Sequence, residues 1–209
     1  MATPHRIEIT KPYNQTLGDI VSEYNFPSAL IVQINNCTAR KSRQNSFTWN
    51  ISKKYPYGDP YKERTSGRYP NLASVHLRPK LGCIQLRYPP KGEEEKPTIA
   101  CLFSQYKMGT PSSRYYLDGR KTDREYIQTS RSLDTYFHRK EFFKICLFLL
   151  VEKLEHLQDI KIVVFPKKIG CGYAGGNWVD YESIICHFCY KLKSVRPDIS
   201  VHIMEKVYI

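Results

Sequence analysis

The 209-residue sequence has no apolar run longer than the seven residues Ile145–Val151. A membrane-spanning helix needs roughly 20, so no membrane contact is expected. The opening stretch Met1-Ala2-Thr3-Pro4-His5-Arg6 has one Arg and no apolar core, and does not read as a secretory signal. Acidic residues are scarce: 20 Asp+Glu stand against 32 Lys+Arg, a formal charge of +12. Apolar residues still make up 41% and aromatics 13%, more than a disordered chain carries. Cysteines number seven, an odd count, and Cys37, Cys83, Cys101, Cys146 and Cys171 stand singly. That is the pattern of reduced, buried thiols, not of a disulfide framework. Cys186-x-x-Cys189 has no second pair, so no metal site is expected. The expected setting is intracellular, cytoplasmic or nuclear.

A length near 200 fits one α/β domain, here expected to span residues 1–209. β-branched and apolar enrichment predicts strands at Arg6–Thr10, Ala29–Asn35, Gly82–Tyr88, Thr98–Ser104, Ile160–Phe165 and Ile199–Met204. Lys91–Lys96, bracketed by Pro89-Pro90 and Pro97, reads as an exposed hairpin loop. Helical patterns cover Ser46–Lys54, Asp134–Leu157 and Asn177–Leu192. Asp134 and Asn177 are the predicted N-caps of the last two. The long middle helix carries Phe137, Ile145, Leu149 and Leu154 among its apolar positions. Strands alternating with helices predict a three-layer α/β/α sandwich around a mixed sheet, whose ligand sits beyond the carboxyl ends of the strands.

One strand-to-helix connection carries chemistry. Ile160–Phe165 runs into Pro166-Lys-Lys-Ile-Gly-Cys-Gly-Tyr-Ala-Gly-Gly-Asn-Trp178, with four glycines and an alanine between positions 170 and 176. Glycines let backbone N–H groups approach a phosphate, and the helix N-terminus adds aligned donors. No Gly-Lys-Ser/Thr follows, so it is not a Walker A loop, and it does not match G-x-G-x-x-G. Phosphate or pyrophosphate is the expected ligand, with Gly175 and Gly176 expected to pass closest to it.

Ile169–Trp178 resembles the second phosphate loop of macro domains, the ADP-ribose-binding modules. The resemblance is to the branch with ADP-ribose 1″-phosphate phosphatases and the terminal ADP-ribose protein glycohydrolase. Gly18-Asp19-Ile20 resembles the family's early Gly-Asp-Ile/Leu, implying that Asp19 holds the adenine amino group. Ile31–Cys37 resembles the strand ending in Asn, implying that Asn36, beside Asn35, meets the distal ribose. Phe103–Pro111, with Gln105, resembles the loop flanking the same cleft, and Tyr55–Tyr61 also fits the branch. The implied ligand-binding set is Asp19, Ile20, Asn35, Asn36, Gln105, Ile169, Gly170, Cys171, Gly172, Tyr173, Ala174, Gly175, Gly176 and Asn177. No metal and no cofactor are implied. The implied activity is hydrolysis of an ADP-ribosyl derivative: ADP-ribosylated protein or nucleic acid, or ADP-ribose 1″-phosphate.

The sequence departs from the family in two places. The first loop, Thr38-Ala-Arg-Lys-Ser-Arg-Gln-Asn-Ser46, is basic and has no glycine. The lysine nucleophile and loop aspartate of the glycohydrolase match Arg87 and Ala174. A guanidinium is no nucleophile and a methyl group is no base, so catalysis through a lysine adduct is not expected. Asn36, Asp180, Cys37 and Asp123 remain as weak catalytic candidates, and Cys171 reads better as a packed loop residue than as a nucleophile. Two other classes compete: a non-catalytic reader of ADP-ribose, favoured by Arg87 and Ala174, and a nucleic-acid-binding module. The latter draws on the +12 charge, the basic runs Arg40–Arg43, Lys53-Lys54 and Lys62–Arg68, and 16 tyrosines. It is expected only as an accessory contact.

Overall fold

A computed structural model describes residues 8–9, 23–67, 70–111 and 134–204. Strands β1 (Glu8–Ile9) and β2 (Ala29–Asn36) come first, followed by helix α1 (Phe47–Lys54), β3 (Ile84–Arg87) and β4 (Thr98–Gln105). Helix α2 (Tyr136–His156), β5 (Ile162–Pro166), α3 (Trp178–Val195) and β6 (Ser200–Met204) complete the order. The strands form one sheet in the order β1-β6-β5-β2-β4-β3. Every pairing is parallel except β3 with β4. The sheet is therefore mixed, as expected. Asp19, Ile20 and Asp123 lie outside the described residues.

Period-two alternation sorts the strands' side chains between two cores. Leu30, Val32, Ala100, Leu102, Val163 and Phe165 pack against Phe143, Leu147 and Leu150 of α2 and Ile185 and Phe188 of α3. Ala29, Ile31, Ile99, Cys101, Phe103 and Val164 face the other way, toward Ile51 of α1, Tyr24 and Tyr55. Helices thus cover both faces, giving the α/β/α layering. The β3–β4 connection closes as a turn in which Glu93 N–H donates to Pro90 O at 3.0 Å, with Gly92 at φ +90°.

Two sequence expectations for α2 are corrected. Its N-cap is Thr135, whose hydroxyl accepts from the His138 N–H at 3.2 Å. Asp134 pairs instead with the buried Arg139, at 2.7 Å from its Nε. The buried stripe is Phe143, Cys146, Leu147, Leu150, Val151 and Leu154, while Phe137 and Ile145 are exposed. Because Ile145–Val151 is apolar all round, its pattern does not say which side faces in. α3 matches its pattern: Tyr181, Ile185, Phe188 and Leu192 are buried, and Asn177 caps the helix by accepting from Val179 N–H at 3.0 Å. Among the described residues no helix is long and apolar enough to cross a membrane.

Candidate ligand-binding cleft

Because β2, β4 and β5 run parallel, their carboxyl ends lie on one edge of the sheet. A cavity of about 390 Å³ opens there, with Ile34, Asn36, Gln105 and Pro166 at the strand ends among its lining. Asn36 pairs with Gln105 across a register shift after Ile34, the kind of irregularity that re-aims side chains at a sheet edge. One wall is the segment after β2 running into the start of α1, with Ser42, Arg43, Asn45, Ser46, Phe47 and Thr48. The opposite wall is the glycine loop, with Lys168, Ile169, Gly170, Gly172, Tyr173 and Ala174. Met108 and Gly109 close a third side.

The glycine loop divides into a packed half and an open half. Gly170 sits at φ +73°, and a Cβ there would meet the Tyr181 ring at 2.7 Å. A Cβ on Gly176 would stand 2.7 Å from Gly170 O. These two glycines let the loop lie flat on α3, and Gly176 N–H donates to Gly170 O at 3.0 Å. Gly175 N–H is likewise taken, by Gly172 O at 2.9 Å. Gly175, Gly176 and Asn177 line a second cavity of about 290 Å³, with Tyr136, Lys140 and Asp180. The N–H groups of Gly172, Tyr173 and Ala174 have no hydrogen-bond partner among the described residues. The open donors are thus 172–174.

A buried arginine fastens this loop. Arg139 Nη1 donates to Gly109 O at 2.6 Å and reaches Ala174 O at 3.5 Å, while Nη2 reaches Lys107 O at 3.3 Å and Asp134 Oδ2 at 3.0 Å. One guanidinium therefore joins the loop after β4 to the glycine loop. On the other wall, Arg64 Nη1 donates to Cys37 O at 3.0 Å and Ala39 O at 2.7 Å, fixing the turn after β2.

The carboxamide of Asn36 is held rather than free. Its Oδ1 accepts from Ala39 N–H at 2.7 Å, and its Nδ2 donates to the Tyr61 hydroxyl at 3.2 Å. One Nδ2 proton and one Oδ1 lone pair remain for a ligand. Asn35 does not line the cleft; its Nδ2 donates to Thr48 Oγ1 at 3.1 Å. Cys171 packs against the α2–α3 core, its thiol donating to Ile169 O at 3.3 Å. Cys37 is buried, and burial raises its thiol pKa well above the ordinary value. Asp180 pairs with Lys140 at 3.0 Å beside the second cavity, apart from Asn36.

Arg87 is not at this site. It stands on the edge strand β3, within 3.4 Å of Glu63 Oε1 and 3.3 Å of Gln85 Oε1. The strand end that reaches the cleft beside Asn36 is that of β4, where Gln105 stands. Its amide, like the guanidinium, is no nucleophile. Sequence reasoning missed Lys168 and the placement of Arg43. The sequence assigns the run Arg40–Arg43 to an accessory nucleic-acid contact, yet Arg43 lies 3.6 Å from the centre of the Tyr173 ring, in the cleft lining. No cluster of metal-binding side chains occurs among the described residues.

No protein-family model matches the chain. No curated protein matches it in sequence. Among solved structures, the macrodomain of Mycobacterium tuberculosis DarG is similar over 90% of this chain and 93% of its own, with 16% identity and a TM-score of 0.56. The macrodomain of Thermus aquaticus DarG is similar over the same shares, with 13% identity and a TM-score of 0.46. The first of these, with the sheet order and the layering described above, gives this chain the macrodomain fold.

Proposed function

We propose that this chain binds ADP-ribose, free or as the ADP-ribosyl group of a modified macromolecule, in the cleft at the ends of β2, β4 and β5. The observation that carries the reading is the row of N–H groups at Gly172, Tyr173 and Ala174, which have no hydrogen-bond partner among the described residues, in a cleft whose other wall contributes Arg43. A pyrophosphate needs convergent donors and positive charge with no competing carboxylate. The described lining contains Arg43 and Lys168 and no Asp or Glu. Asn36 offers the distal ribose one donor and one acceptor. Asp19, outside the described residues, is the proposed acceptor for the adenine amino group.

Of the two uses of such a cleft, retention of the ligand is favoured over its hydrolysis. Among the described residues, the lining holds no carboxylate, imidazole or thiol that could serve as general base. Burial pushes the Tyr61 phenol up to about 12, so it is no base either at neutral pH. The nucleic-acid reading keeps its accessory place, supported by charge alone.

Calorimetry with ADP-ribose, AMP and NAD side by side tests this proposal. ADP-ribose should bind with about micromolar affinity, near −8 kcal/mol, and AMP more weakly. Equal affinity for AMP and ADP-ribose would remove the distal-ribose site. Incubation with ADP-ribose 1″-phosphate, an ADP-ribosylated peptide and an ADP-ribosylated oligonucleotide should leave each intact, and release of free ADP-ribose would restore the hydrolase reading.

A further inference from the structure

The wall after β2 has no backbone donors left at its base. Asn36 N–H donates to Tyr61 OH at 3.1 Å and Cys37 N–H to Gln105 O at 2.9 Å. Thr38 N–H donates to Tyr106 O at 3.1 Å, Ala39 N–H to Asn36 Oδ1 at 2.7 Å, and Arg40 N–H to Asn71 O at 3.1 Å. Five successive N–H groups are thus committed within the protein. An anion in this cleft cannot be received by that stretch of backbone.

The side chain of Arg43 lines the cleft from the same wall, three residues beyond that stretch. Its guanidinium carbon lies 3.6 Å from the Tyr173 ring centroid, a stacking distance, so residues of the two opposite walls touch. Stacking occupies the face of the guanidinium and leaves its N–H edge free. Among the described residues, that edge makes no hydrogen bond or ion pair, although Arg43 lines the cleft. Tyr173 also belongs to the 172–174 row of open N–H groups. The cation and the backbone donors are therefore brought together by one contact. Lys168 lines the same wall as Tyr173, and the two cations match the two negative charges of a diphosphate.

We propose that Arg43, held by Tyr173, is the side chain that binds the diphosphate of the cleft's ligand. It adds a side-chain donor to a wall whose backbone N–H groups at residues 36 to 40 are spent. The proposal deepens the ADP-ribose reading and rests on it for the identity of the ligand, though not for the diphosphate chemistry. Arginine is required because the site uses a flat face for the ring and a forked edge for two phosphate oxygens, and an ammonium offers neither. The stack itself acts as a clasp: a ligand whose diphosphate enters between the walls engages Arg43 and the Gly172–Ala174 donors together.

The test uses Arg43→Ala, Arg43→Lys, Tyr173→Phe and Tyr173→Ala, each titrated with ADP-ribose and separately with inorganic pyrophosphate. Arg43 and Tyr173 are exposed, so all four variants should melt with the parent. Arg43→Ala should weaken ADP-ribose about 10- to 100-fold, the effect of losing charge-assisted hydrogen bonds. Arg43→Lys should recover only a minor part of that loss. Tyr173→Phe should bind like the parent, and Tyr173→Ala should weaken binding several-fold through loss of the platform. Parental affinity of Arg43→Ala for both ligands, in a protein that binds them, overturns the proposal and leaves the ADP-ribose reading standing. A parent that binds pyrophosphate through Arg43 but ignores ADP-ribose would support the clasp and refute the ADP-ribose reading. A parent that binds neither refutes both.

Discussion

The hydroxyl oxygen of Tyr61 accepts from both the backbone N–H of Asn36, at 3.1 Å, and its Nδ2, at 3.2 Å. The side chain expected to meet a ribose is thereby oriented by a residue 25 positions later in the chain. Asn36 Oδ1 at the same time closes the turn to Ala39, so the amide cannot flip without losing both contacts. Its orientation is fixed before any ligand arrives.

Tyr61→Phe removes this anchor while keeping the ring beneath Arg64, whose guanidinium carbon lies 4.6 Å from its centroid. Two donors of a buried residue lose their partner, at a cost of about 1–3 kcal/mol. Chemical denaturation should show that loss, and ADP-ribose affinity should fall with it. A variant with parental stability and affinity would mean that Asn36 is oriented by something else.

The Asp134–Arg139 pair should matter more than any ion pair on the surface. Both side chains are buried, and Arg139 also reaches carbonyls of two loops, Gly109 after β4 and Ala174 in the glycine loop. Asp134→Ala leaves that guanidinium without its counter-charge, which typically costs about 3–5 kcal/mol. Lys144 and Glu141, partly exposed at 2.7 Å, offer the comparison: Glu141→Ala should cost under about 1 kcal/mol. Urea midpoints of the two variants should therefore differ widely, and similar midpoints would show that Arg139 is accommodated without Asp134.

Gly176→Ala tests the packed half of the glycine loop. The added methyl would meet the Gly170 carbonyl oxygen and the Tyr181 ring, both at 2.7 Å. Backbone cannot yield there as a flexible side chain would, so a loss of about 1–3 kcal/mol is expected. Gly92→Ala, in the β3–β4 turn with nothing within 4 Å of the new atom, isolates the cost of positive φ alone. Thermal melting should rank Gly176→Ala below the parent, with ADP-ribose affinity reduced because the 172–174 donors shift.

Alkaline pH should unfold the protein early. Burial pushes Cys101 and Cys189 up to about 12 from 9.0, and Tyr55, Tyr61 and Tyr181 up to about 12 from 10.0. Between those values the unfolded chain has released protons that the folded chain still holds, so the unfolded state gains as pH rises. The stability is fully present below pH 9 and is lost progressively as pH rises from about 9 toward 12. Melting temperatures measured from pH 7 to 11 should be flat at first and fall above pH 9. A flat profile to pH 11 would mean that these groups are not shielded from water.

Helix α3 and the loop before it were legible because their signals are local. Asn177 precedes a run with four-residue spacing, and the glycines cluster between a strand and that cap. The cap of α2 was not legible, because Asp134 and Thr135 are both capping residues and only the position of Arg139 decides between them. The buried stripe of α2 was hidden by an apolar run that is uniform around the helix. The match of Arg87 to a catalytic position followed strand order in the sequence. The antiparallel pairing of β3 with β4 puts that strand at the sheet edge instead, and its carboxyl end points the other way.

The sequence by itself determined the alternation of strands and helices, the apolar face of α3 and the existence of a glycine-rich loop between β5 and α3. Each is written in neighbouring residues through a period, a cap or the absence of a Cβ. Tertiary structure alone decided which loop donors remain open, because Gly175 and Gly176 spend theirs within the loop while Gly172 to Ala174 do not. It also decided that Arg43, although exposed, lines the cleft. A side chain's partners across the fold are set by which strand ends share an edge, and that pairing joins residues as far apart as Arg43 and Tyr173.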